Sequence, residues 1–444
     1  MASANGEGLG SAATSIVISG LIGGLSVALF FAFYLRRKRE EVKTAAELHP
    51  EVTTTSHKNS KPLKKVNPKS NVSAADKVQA RRHHPLDLNT LKGHADAVTG
   101  LCFSPDALCL ATACADRVVR VFKLDDALSK SFKFLRINMP SGSHPVAVTF
   151  CKEASQLVVG AHNISGSSLS MYGEAARKSS EDVNEHSKLP LPEVKWEKQK
   201  VHDKKGILTL VGISATYGNA DGSTIIASCS EGTDIKLFQG ESGKCLGVLD
   251  TNQLKNNMAS LSPNGRFVAA AAFTADVKVW ELVYAKDGSV KETVNVMQLK
   301  GHKSAVTWLC FTSDSEKILT ASKDGSMRLW NINVRYHLDE DPKCLKVFPI
   351  PLHDEKGRFM HYDRLSISPN DKIIAASHGP ILQWLSLETG EVLDTADKAH
   401  DADITCMAWS PQKIATENVL TTILATCGND KKVKLWAAPK SLLH

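Results

Sequence analysis

Two tetrapeptides, Leu91-Lys92-Gly93-His94 and Leu299-Lys300-Gly301-His302, open segments that match in pattern and length, and this repetition constrains the fold more than anything else in the chain. Each histidine is followed by an apolar run, Ala97 to Phe103 and Ala305 to Phe311. A second run, a turn with aspartate, and a strand-like stretch ending in an aromatic residue come next. From His94 to Phe122 is 28 residues, and so is His302 to Trp330. A third copy opens at His400, passes through Ile404 to Pro411 and ends at Trp436, with an insertion at Gln412 to Thr421. Weaker copies, Val146 to Tyr172, Ile207 to Phe238, Ala259 to Trp280 and Leu365 to Trp384, fill the gaps, which places terminal aromatics at 122, 172, 238, 280, 330, 384 and 436.

Short β-branched or aromatic runs punctuated by Ser-Pro, Asn-Gly and Asp-Gly predict antiparallel strands joined by tight turns. One such four-stranded unit is too apolar on both faces to stay wet, so units must stack on one another. Seven fit a closed ring. Residues 85–437 thus resemble the WD-repeat proteins, and the resemblance implies an all-β, seven-bladed β-propeller. It is strongest in the copies ending at 122, 330 and 436, although no Trp-Asp pair occurs: Trp280 precedes Glu281, Trp330 precedes Asn331 and Trp436 precedes Ala437. In that family a strand from the start of the domain completes the last blade, and Leu86 to Leu91 is placed to do so beside the strand ending at Trp436, removing an open edge. Glu193 to Lys200, with Trp196, is expected to return as an outer strand after a polar loop at 173–200 that reads as a spacer or a partner-binding loop.

The sets His94-Thr112-Asp116, His302-Thr320-Asp324 and His400-Thr426-Asp430 look like a base, a hydroxyl and an orienting acid. Nucleophilic catalysis needs one such site with an accessible hydroxyl and an oxyanion hole. Three copies around a ring argue for construction. The resemblance implies buried hydrogen-bond chains, here His302-Thr320-Asp324-Trp330 and His400-Thr426-Asp430-Trp436. The first set ends in Phe122, which has no indole donor, so that chain should stop at Thr112. His83-His84 has no partners at metal-site spacing, and neither phosphate-loop nor dinucleotide fingerprint occurs. The sequence therefore points to no enzyme chemistry, no small-molecule substrate, no metal and no cofactor.

The N-terminal part is of another kind. After a short tail, 1–15, residues 16–35 (IVISGLIGGLSVALFFAFYL) carry no charge, and as a helix would be about 30 Å long, enough to cross a bilayer. A cleaved signal peptide would have a basic start and a small-residue cleavage site; a buried globular helix is the other alternative. We expect a transmembrane anchor. Arg36, Arg37, Lys38 and Arg39 on its C-terminal side keep that side cytosolic, so the ring should face the cytosol. Gly20 and Gly24 form one helix-pairing pattern. The ten cysteines lack any C-x-x-C pair and five, Cys102, Cys114, Cys229, Cys310 and Cys427, sit in apolar runs, as reduced buried thiols do. Two sequons, Asn71-Val72-Ser73 and Asn163-Ile164-Ser165, would report a lumenal placement.

The chain has 54 Lys plus Arg against 47 Asp plus Glu, a formal charge of +7, too little for a nucleic-acid polyelectrolyte. Residues 36–84 hold thirteen basic and five acidic residues, which leaves the ring, from 85 onward, neutral. With hardly any aliphatic pattern, 36–84 is expected to be a disordered basic tether able to meet anionic lipid head groups or RNA. Residues 438–444 form a C-terminal tail. On the ring, the face carrying the Gly-His loops and Asp turns is where side chains from several blades converge. Repeat position nominates Arg117, Glu231, Asp276, Lys323, His378 and Lys431 as partner contacts, a mixture suited to protein or peptide. Asp276 departs from the pattern, four residues before Trp280 where the strong repeats place aspartate six before.

The segment from Thr251-Asn252-Gln253 through Ser262-Pro263-Asn264-Gly265-Arg266-Phe267-Val268 to Phe273-Thr274-Ala275-Asp276-Val277-Lys278-Val279-Trp280-Glu281, with Ser322-Lys323-Asp324-Gly325, resembles the transducin β-like protein 2 group. That resemblance implies anchoring in the endoplasmic reticulum, with an organelle outer membrane as the alternative, and cytosolic protein partners in stress signalling or translation control. The leading expectation is a non-catalytic, membrane-anchored scaffold. An exchange factor for a small GTPase of vesicle-coat assembly, and a ribosome or RNA tether with steep salt dependence, are the alternatives.

Overall fold

In the computed structural model, which describes residues 84–152, 154–174, 192–353, 357, 360–416 and 419–439, strand formation follows the apolar runs. The first blade shows the plan. Val98–Phe103, Cys109–Cys114, Val118–Lys123 and Phe134–Asn138 pair antiparallel in that order, from the axis outward. Six further four-stranded sheets repeat it, and their innermost strands are His144–Phe150, Ile207–Ser214, Asn256–Leu261, Val306–Phe311, Arg364–Ile367 and Ile404–Trp409. Each innermost strand packs on the next, and Ile404–Trp409 packs back on Val98–Phe103, so the ring closes with seven blades.

The seven terminal aromatics all lie on third strands. Apolar clusters sit between neighbouring blades, one per junction; Phe122, Leu110 and Val98 meet Val433, Leu435 and Ile423 where the first and last blades join. Asp87–Leu91 pairs with Val433–Ala437 in the last sheet, as the sequence leads one to expect, with Leu91 buried and Lys434 Nζ 2.9 Å from Asp87 Oδ2. Glu193–Gln199 returns as the outer strand of the second blade, Trp196 donating to Gly240 O at 2.8 Å. The insertion in the last repeat forms the hairpin Ile414–Thr416 and Val419–Thr421. All ten cysteines are free; Cys114, Cys229 and Cys427 are buried, and Cys102 and Cys310 partly so.

One device recurs at the inner strands. In six of the seven, one extra residue interrupts the register near the start: Thr99, Val146, Leu208, Asn257, Thr307 and Thr405. Such a bulge rotates its side chain out of the ladder. Thr99 Oγ1 then meets Ala113 O of its own blade and Pro145 O of the next. Asn257 Nδ2 bridges Ala272 O and Val306 O, Thr307 Oγ1 bridges Ala321 O and Tyr362 O, and Thr405 Oγ1 bridges Cys427 O and Val98 O. The sixth blade has no bulge, and there Arg364 Nε reaches Thr405 O at 2.8 Å. Polar latches thus add direction to the apolar packing between blades.

The anchor at 16–35, Arg36 to Arg39, the tether at 36–84 apart from His84, and the 440–444 end of the C-terminal tail lie outside the described residues. Among the described residues, no helix is long and apolar enough to cross a membrane.

The latches predict that Thr307→Val and Thr405→Val, which keep shape and remove the hydroxyl, each lower unfolding free energy by about 1 kcal/mol, with effects that add because the two share no hydrogen-bond partner. Chemical denaturation of the single and double variants measures this; losses indistinguishable from zero contradict it.

Candidate partner-binding face

The loops that precede the inner strands and the turns between second and third strands lie at the same end of every blade, because the start of each inner strand pairs with the end of the second: Val98 with Cys114, Val306 with Ser322, Ile404 with Gly428. The histidines and aspartates nominated above therefore converge on one rim.

In the fifth blade His302 Nδ1 is 2.9 Å from Asp324 Oδ2 and Nε2 is 2.7 Å from Thr320 Oγ1, onto which Trp330 Nε1 donates at 3.0 Å. The seventh repeats this with His400, Asp430, Thr426 and Trp436 at 2.9, 2.8 and 2.8 Å. The direction follows from the donors. The indole N–H and the hydroxyl proton run toward the imidazole, whose own N–H meets the carboxylate. Burial opposes ionisation of Asp324, but donation from Ser326, the Lys303 amide and His302 overcomes it and brings the carboxyl down to about 2. Burial likewise lowers the His302 pKa, against the pull of Asp324. Thr320 and Thr426 are fully buried, so no substrate reaches either hydroxyl.

The first set differs from expectation. His94 Nε2 reaches Thr112 Oγ1 at 3.0 Å and the chain stops there, but Asp116 does not join His94. Arg120 takes its carboxylate with two N–H groups, at 2.7 and 3.2 Å, a fork that a single imidazole N–H does not displace. His94 Nδ1 is left buried without a hydrogen-bond partner among the described residues, and burial together with the Arg120 charge lowers its pKa to about 4.

A fourth set escaped the sequence reading. His202 bonds Asp234 through Nδ1 at 2.5 Å and Ser228 through Nε2 at 2.9 Å, with Phe238 in the aromatic place. No glycine precedes His202, yet its spacing to Ser228, 26 residues, equals that of His400 to Thr426 and was a usable signal. In the sixth blade Ser377 and Trp384 occupy the hydroxyl and indole places, but Ser377 Oγ and Trp384 Nε1 have no hydrogen-bond partner among the described residues. There His361, Asp363 and His378 come together instead, residues whose spacing announces nothing.

Of the six nominated contacts, Arg117, Glu231, Lys323 and Lys431 are exposed in these turns. Lys431 also crosses the last junction to Ala95 O at 3.0 Å. Asp276 is half-buried and accepts from Gln298 Nε2 at 2.8 Å; His378 is half-buried beside Asp363. The nomination overlooked the apolar members of the same rim. Leu254 is 79% exposed in the loop before the fourth blade, and Phe273, 50% exposed, lies next to it, its amide on Lys255 O and the Lys255 ammonium 5.6 Å from its ring. Ile164 is wholly exposed on the second blade's turn.

Asp324, ionised in the fold down to about pH 2 against 3.8 ordinarily, contributes stability that is complete above about pH 4 and disappears as pH falls toward 2. Asp324→Asn should cost about 1–3 kcal/mol near neutral pH, and its deficit against the parent should shrink below about pH 4. Denaturant titrations across that range measure the gap; one that stays constant with pH contradicts the assignment.

The WD domain, G-beta repeat family matches residues 87–123, 293–331 and 391–437. Transducin beta-like protein 2 of Homo sapiens is 30% identical over 358 residues, 80% of this chain and 72% of that protein. The Mus musculus protein of the same name is 28% identical over 357 residues with the same coverage. Actin-interacting protein 1 of Drosophila melanogaster is 30% identical over 115 residues, 26% of this chain and 18% of that protein, a likeness confined to part of the ring. With seven blades closed and four-fifths of its length aligned, the chain belongs to the WD-repeat family and, within it, to the transducin beta-like protein 2 group.

Proposed function

We propose that this propeller is a non-catalytic scaffold, tethered to a membrane by residues 16–35, that gathers cytosolic proteins on the rim bearing its Asp turns. The observation that carries the reading is the exposed pair Leu254 and Phe273 set beside Lys255 and surrounded by turns of mixed charge. An apolar anchor bordered by polar groups is what a protein partner uses, since burial of one or two such side chains supplies most of an interface's energy. The buried state of the His-Thr-Asp sets supports a role in construction and leaves them no turnover chemistry.

The uncharged span 16–35 followed by Arg36 to Arg39 supports an anchor whose C-terminal side is cytosolic, and the basic stretch behind it suits contact with anionic head groups. Membership of the transducin beta-like protein 2 group supports the endoplasmic reticulum as the membrane, and partners in stress signalling or translation control. The sequon at Asn163 offers a check on orientation, because Ile164 and Ser165 stand exposed on a turn where an oligosaccharide would fit.

Proximity labelling from the C-terminus in intact cells, comparing the parent chain with the Leu254→Asp, Phe273→Asp double variant, tests the rim. The variant should lose its labelled partners by tenfold or more while its unfolding temperature stays unchanged; an undiminished set of partners rejects this rim. In sealed membrane vesicles the propeller should be digested by added protease and Asn163 should carry no glycan. Protection and glycosylation together would reverse the orientation.

A further inference from the structure

We propose that His361, Asp363 and His378 of the sixth blade form a divalent-cation site on the rim, and that zinc is the ion their donors fit. One donor atom from each of the three lies within 4.8 Å of the others. His361 Nε2 is 3.2 Å from Asp363 Oδ1, and His378 Nδ1 is 3.3 Å from Asp363 Oδ2. In the buried chains of the third, fifth and seventh blades imidazole and carboxylate stand at 2.5, 2.9 and 2.9 Å, the range of a charge-assisted hydrogen bond, whereas the less buried pair His84 and Asp394 stands at 3.3 Å. The sixth-blade contacts are longer than those of the buried chains, and His378 Nδ1 has no aligned hydrogen-bond partner among the described residues. Zinc holds nitrogen and carboxylate oxygen at about 2.0–2.2 Å in tetrahedral array, which sets neighbouring donors about 3.3 Å apart. The two histidines face different oxygens of Asp363, each at about that separation, and all three groups lie close enough to share one ion.

The framework around them is rigid. Tyr362, between two of the three, is fully buried and donates its hydroxyl to Gln383 at 2.6 Å, so His361 and Asp363 both turn outward from one fixed point. The Asp363 amide bonds Ser377 O at 2.7 Å, pinning it next to His378. The Gly379 amide donates to Asp363 Oδ2 at 3.0 Å, the kind of outer contact that orients a ligating carboxylate. Gly379 has φ of +51°, and a side chain there would meet Asp403 Oδ1 at 3.3 Å, so a second carboxylate, from the seventh blade, borders the cluster. The three side chains are 23–34% exposed, which leaves an approach for the ion and room for water or a partner's residue at the remaining position. Two imidazoles with one carboxylate make a borderline donor set that suits zinc over calcium or magnesium, which prefer oxygen alone.

The test uses the full chain in detergent, stripped with chelator, with Cys245→Ser and Cys344→Ser introduced to remove the exposed thiols. Titration with Zn²⁺ by calorimetry should show one equivalent bound, and Co²⁺ should give the visible absorption of a tetrahedral nitrogen and oxygen site. His361→Ala and His378→Ala should each weaken binding at least tenfold with circular dichroism unchanged. His361 is the more exposed of the two histidines, so its variant carries the test if His378→Ala disturbs the fold. Failure of the parent to bind a stoichiometric ion, or equal binding by the parent and the His361 variant, overturns the site.

Discussion

The pairing of Asp87–Leu91 with Val433–Ala437 is the constraint on which the rest of this molecule depends. Some 340 residues separate the two strands, so the chain's ends must meet before the last sheet is complete and before the first blade's apolar face has its neighbour. Without that pairing, Leu91, Val98 and Phe122 on one side and Val433 and Leu435 on the other would lose the cluster they share. Closure also covers the two apolar sheet faces that an open stack would present to other chains. Once the ring is shut, each blade is held from both sides, and the rim turns become fixed points in space.

The polar chemistry divides by depth. Near the axis, bulged threonines and Asn257 bridge blade to blade through backbone carbonyls, adding direction to the apolar packing. At the rim, His-Thr-Asp chains stiffen the turns that carry exposed residues. The fifth and seventh blades hold the complete chain to tryptophan, the third a version ending at serine, and the first a version in which Arg120 has captured the aspartate. The sixth, with two histidines about one aspartate, departs furthest from construction, and it is there that ligand chemistry is inferred.

Much of the fold was legible because it is written repeatedly. Apolar runs ending in a terminal aromatic recur seven times, with a histidine and an Asp turn in the strongest copies, so seven units, the closing strand and the returning strand at Glu193–Gln199 could be placed from the sequence. The site was less legible, for physical reasons. Whether Asp116 turns to His94 or to Arg120 depends on side-chain reach, not spacing. His202 lacked the preceding glycine that marks His94 and His302. His361, Asp363 and His378 are joined only by the pairing of an inner strand with its neighbour, and Leu254 and Phe273 are single apolar residues whose exposure no pattern reveals. The anchor and tether rest on hydropathy and charge alone, since those residues lie outside the described part of the chain.

Amide hydrogen exchange on the full chain tests ring closure most directly. The account predicts that Asp87–Leu91 and Val433–Ala437 exchange as slowly as the inner pair of the same sheets and open together with them, as one cooperative unit. Exchange of either closing strand orders of magnitude sooner than Cys109–Cys114 would show an open ring and contradict it.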